Sequence, residues 1–211
     1  MIPFAVALTR RRPLPAPLRL LAIYSAIVFA EGMVMAYVST LNIRNLWMIQ
    51  VFAPFEATLF LLMFARWQVR EASRLTVLAT IPLFLLAWTA LMLTVEPFND
   101  FSQYVKPVEF ILLTMVAAFT LVTRSQHLTG SPTRQPWFWV GIGSLIYFGT
   151  AVALNPVSAA LQLTHKHLIL AAFETHAALD ILCYLLFTRA MLCQPPIRSG
   201  SSSPQRSLAS F

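Results

Sequence analysis

Six apolar blocks of about 20 residues, separated by short charged or turn-forming breaks, run through this 211-residue chain. About 20 residues rising about 1.5 Å each match the roughly 30 Å hydrocarbon core of a bilayer. Only helices and closed barrels satisfy their backbone polar groups there, and blocks this long and uniformly apolar predict helices. The spans fall at 18–39, 46–67, 74–96, 104–124, 137–156 and 167–191. The breaks carry helix-ending chemistry: Asn42 and Asn45, Asn99 and Asp100, Gly130-Ser131-Pro132, and Asn155-Pro156. Hydrophobic residues make up 58% and charged residues 11%, against about half and a quarter in soluble domains. A water-soluble globule is excluded.

The fold class is therefore all-α: a polytopic six-transmembrane-helix bundle over residues 18–191. A basic N-terminal arm, 1–17, precedes it, and a polar tail, 192–211, follows. Pro195-Pro196 and the Ser/Gly run at 199–203 predict disorder in that tail. The apolar run Ile2 to Leu8 precedes Arg10, Arg11 and Arg12, the reverse of a secretory signal, so the arm is expected in the mature protein. Cys183 and Cys193, ten residues apart on one helix, stand about 15 Å apart along its axis, too far for a disulfide.

Charge sets the direction. Six spans put both termini on one side, and that side collects 12 of the 15 basic residues. The other side holds Arg44, Lys106 and Lys166. The positive-inside rule then places both termini in the cytoplasm of a cell (inner or plasma) membrane. Tyr37, Trp47 and Tyr104 mark the outer edge, and Tyr24, Trp67, Trp137 and Trp139 the inner one. The net charge of +7 belongs to this topology; the basic residues form no stripe, so nucleic acid is not an expected partner and the bilayer is.

A threefold pattern lies across the spans. The second, fourth and sixth each carry an acid after entry from outside, in Pro54-Phe55-Glu56, Pro107-Val108-Glu109 and Phe173-Glu174. Thr123-Arg124 and Thr188-Arg189 follow their acids by fourteen and fifteen residues, which allows three related helical hairpins.

The chemistry lies inside the spans. Five of the eight acids fall there: Glu31, Glu56, Glu109, Glu174 and Asp180. A charged side chain at a helix centre costs about 2.5–3.5 kcal/mol on insertion scales. Indexed along its own helix, Lys106 sits at the outer edge and reaches Glu109 alone, three residues on. The acids thus call for protonation, a cation, a polar ligand or water. Glu56, Glu109, Glu174, His176 and Asp180, with Glu31 and Gln50, make up the candidate binding set of an acidic pocket opening outward. His176 and Asp180, four apart on one face, are the candidate metal ligands. Polar on two faces, the sixth span is expected at the centre of the bundle. Pro54 and Pro107 each predict a backbone carbonyl freed one turn earlier.

No His-Glu-x-x-His, Gly-x-Ser-x-Gly, Cys-x-x-Cys or phosphate-binding glycine loop occurs, and no cofactor is expected. Gly141-Ile142-Gly143-Ser144 reads as a packing surface. The residues favour a small transporter or membrane sensor module binding protons, a cation or a small polar ligand. The alternatives are a metal-dependent intramembrane hydrolase or transferase built on His176, Asp180 and Glu174, and a structural or assembly subunit binding a membrane protein partner.

Overall fold

The computed structural model describes residues 2–9, 14–41, 43, 45–96, 102–128, 130–161 and 166–193, except the side chains of 46, 155–161, 166–173 and 176. Seven α-helices form the described chain: α1 (Ile2–Thr9), α2 (Ala16–Thr40), α3 (Leu46–Trp67), α4 (Glu71–Thr94), α5 (Val105–Ser125), α6 (Pro136–Leu161) and α7 (Lys166–Leu192). No strand occurs among the described residues. Among the described residues the fold is all-helical, and α2 to α6 are five helices long and apolar enough to cross a membrane. Their exposed surfaces suit contact with lipid: Phe29 and Met33 on α2, and Leu83, Leu86 and Leu93 on α4, all stand outside the core.

The core is aromatic and centres on α3. Its Ala53, Ala57, Phe60, Leu61 and Phe64 are essentially inaccessible. Phe60 meets Tyr24 of α2 edge-on at 4.7 Å between ring centroids, and Phe148 of α6 at 5.1 Å. Phe187 of α7 stands 6.1 Å from Phe60. Offset and edge-to-face pairs of this kind contribute about 0.5–1.5 kcal/mol each beyond area burial. The expected central helix is corrected here: α3 holds the centre, whereas Glu174, Ile181 and Leu182 on α7 are exposed.

Successive helices pack as neighbours except α4 and α5, which touch only sparsely; α5 instead lies against α3 and α6. The turn from α5 to α6 passes through Gly130 at φ 139°, a conformation side chains rarely adopt. Within the arm, Ile2–Thr9 is helical and packs against α7 and α2, with Val6 and Ala7 on the main core. Gly141 and Gly143 do form a packing surface: an added Cβ would meet Leu121 at 2.7 Å and Phe187 at 2.9 Å.

Pro54 disrupts α3 from within, and Pro82 lies inside α4. Lacking an N–H, Pro54 cannot bond the carbonyl of Gln50, four residues earlier. Trp88 of α4 takes its place, with Nε1–H donating to that carbonyl at 3.1 Å. The expectation for Pro107 does not hold. It lies in the first turn of α5, where the N–H it lacks would have no helical acceptor.

Candidate functional site

The site follows from the depth at which α5 begins. Val105, its first residue, is buried with Ala53 of α3 and Met92 of α4. Ala53 lies seven residues along α3, about 10 Å from that helix's N-terminal end. The start of α5 is therefore sunk well below the start of α3. Two side chains hold it there: Glu96 Oε2 accepts from the Val105 N–H at 3.0 Å, and Ser102 Oγ from the Lys106 N–H at 3.1 Å. A helix N-terminus buried without such acceptors would carry a desolvation cost.

The expectation that Lys106 pairs with Glu109 alone is corrected here. The residue is buried, and its Nζ stands 2.9 Å from Glu56 Oε2 and 2.8 Å from Glu109 Oε2. Both acids are buried with it, Glu109 completely. The ammonium also lies 5.3 Å from the Phe110 ring centroid, within cation–π range. The second oxygen of Glu56, Oε1, accepts from the Tyr24 hydroxyl at 2.7 Å. Tyr24 is thus buried in the core, with its hydroxyl turned to Glu56.

Glu31 lies seven residues from Tyr24 and on the same face of α2, two turns toward its C-terminal end. It is half-buried and close enough to Glu56 and Lys106 to feel both charges. Gln50 is fully buried one to two turns before Glu56 on α3.

Between α2, α6 and α7 lies a small, partly open cavity of about 10 Å³ lined by Tyr24, Tyr147, Asp180, Cys183, Tyr184 and Phe187. Asp180 is half-buried there.

The structure thus brings Glu56 and Glu109 together on Lys106, with Glu31 near enough to sense their charge, and places Asp180 in a cavity it shares with Tyr24, the residue that bonds Glu56. Glu174 is exposed and outside the cluster, so the third acid of the threefold pattern does not share the burial of the first two. The His176 side chain lies outside the described residues. No group of three metal-ligating side chains occurs among the described residues. Sequence reasoning missed Tyr24, Tyr147 and Tyr184. Tyr24 and Glu31 share a face at seven-residue spacing, and that was the available signal for the first.

Comparison with protein-family models, with curated proteins and with solved structures finds no match for this chain.

Proposed function

We propose that the chain is a six-span cell-membrane protein with both termini cytoplasmic. In this reading its acidic, outward-facing pocket takes up protons, a cation or a small polar ligand, as a small transporter or a membrane sensor module. The observation that carries this is charge balance: Glu56 and Glu109 share a single ammonium, Lys106, and Glu31 lies near enough to sense their charge. With all four groups ionised, two negative charges are left over in a largely buried site. Buried ion pairs seldom add stability over well-packed apolar residues, so such a cluster makes better sense as a binding device than as a staple. The 12-to-3 division of basic residues supports the orientation, and burial of Lys106 leaves even less free positive charge on the outer side.

The test is thermal stability of the purified protein across pH and with added monovalent cations, for the wild type, Glu56→Gln and Glu109→Gln. The wild type should show a melting temperature that depends on pH or cation, and each glutamine variant should lose part of that dependence. Identical dependences in all three proteins would contradict a working site. A C-terminal tag on intact cells checks orientation: it should resist external protease, and cleavage would overturn the cytoplasmic assignment.

A further inference from the structure

Which species the cluster takes up can be argued from how Glu56 is held. One of its oxygens accepts from Lys106 and the other from the Tyr24 hydroxyl. A metal or alkali ion would have to settle against the Lys106 ammonium and displace one of these donors. A proton needs only to move along a hydrogen bond that already exists.

The same tyrosine continues the path. Tyr24 lines the cavity shared with Asp180, Tyr147 and Tyr184, so four of its six lining residues carry a hydroxyl or a carboxyl. Its volume of about 10 Å³ is close to the room one water requires, and a buried water needs two to four polar partners. Titratable groups face this line from every helix around it: Glu31 on α2, Glu56 on α3, Lys106 and Glu109 on α5, Tyr147 on α6, and Asp180, Cys183 and Tyr184 on α7.

We propose that the exchanged species is the proton and that Tyr24 relays it between Asp180 and Glu56 through a water in this cavity. The proposal rests on the reading of the cluster as an uptake site. In the inward step the Tyr24 O–H bond breaks as a bond forms from that proton to Glu56 Oε1. The tyrosine oxygen takes a proton from the cavity water, and the water takes one from the Asp180 carboxyl. Glu56 gains one proton, Asp180 loses one, and Tyr24, the water and Lys106 are unchanged. Release runs the steps in reverse.

Time-resolved infrared spectroscopy after a pH jump separates the two claims, with Glu56→Gln and Glu109→Gln identifying the carboxyl bands. The equilibrium amplitude reports proton uptake by the cluster; the rate reports the relay. Tyr24→Phe and Asp180→Asn should each still reach a carboxyl signal at equilibrium, which also shows that they fold. Each should slow its appearance by about 100-fold, the low end of what a positioned proton-transfer group contributes. A wild-type protein with no carboxyl signal at any pH would overturn both uptake and relay. Normal amplitude at the wild-type rate in either variant would overturn the relay and leave uptake standing. Should Tyr24→Phe fail to fold, Asp180→Asn decides alone, because no hydrogen bond to Glu56 runs through its side chain.

Discussion

Lys106 and Glu56 stand fifty residues apart in the chain, yet the ammonium of one lies 2.9 Å from a carboxylate oxygen of the other. The contact ties the sunken start of α5 to the middle of α3, and Glu109 closes on the same nitrogen at 2.8 Å. Removing one partner of a buried pair leaves a charge without compensation, which costs far more than the pair contributes. The three side chains are therefore expected to behave as a unit.

The depth of α5 depends on its two capping side chains. Glu96→Ala exposes the Val105 N–H to an apolar surrounding, and Ser102→Ala does the same for Lys106. Each should lower stability by about 1 kcal/mol, as loss of a helix cap commonly does. Glu96→Gln, which retains an acceptor, should cost less than Glu96→Ala. Denaturant titration of the purified protein measures all three, and equal losses for Gln and Ala would contradict the capping role.

Trp88 is expected to matter because of Pro54. Trp88→Phe keeps an aromatic ring but leaves the Gln50 carbonyl unsatisfied, at about 1–3 kcal/mol. Pro54→Ala restores an N–H that can bond the same carbonyl along the helix. In the Pro54→Ala background, Trp88→Phe should therefore lose less stability than in the wild type. Equal losses in both backgrounds would show that the indole N–H does not stand in for the missing helix bond.

The glycines of α6 differ in the space around them. Gly143→Ala drives a methyl to 2.9 Å from the Phe187 ring, which is itself buried in the aromatic core. Overpacking of this kind costs about 1–3 kcal/mol. At Gly149 the nearest atom, Thr114 Cγ2, is 3.9 Å away, so Gly149→Ala should be neutral or slightly stabilising. Melting temperatures of the two variants should separate accordingly; a Gly143→Ala protein as stable as the wild type would contradict the packing described.

Much of the helical layout was legible in the chain. The span expected at 46–67 is α3, residue for residue, and 74–96 and 104–124 fall within a few residues of α4 and α5. Long apolar blocks have few other outcomes in a bilayer. What the chain did not disclose is how far one helix is displaced along its axis relative to another. Position along α5 places Lys106 at an edge, and only the packing, with Val105 buried in one cluster with Ala53 and Met92, shows that this edge is buried. The contact of Tyr24 was hidden for a related reason: its partner, Glu56, lies 32 residues away in the chain. For α7, two polar faces suggested a central position, but burial is settled by neighbours, and the aromatic residues of α3 claim the centre.

The central claim is that Lys106 serves as the shared counterion of Glu56 and Glu109, and a double-mutant cycle tests it most directly. Unfolding free energies would be measured for the wild type, Lys106→Met, Glu56→Gln and the double variant. Lys106→Met alone should lose about 3–5 kcal/mol, because two buried carboxylates lose their cation. Adding Glu56→Gln should recover part of that loss, with a coupling energy of about 1 kcal/mol or more. Losses that add to within about 0.5 kcal/mol would mean that the two residues do not sense each other, and the counterion account would be wrong.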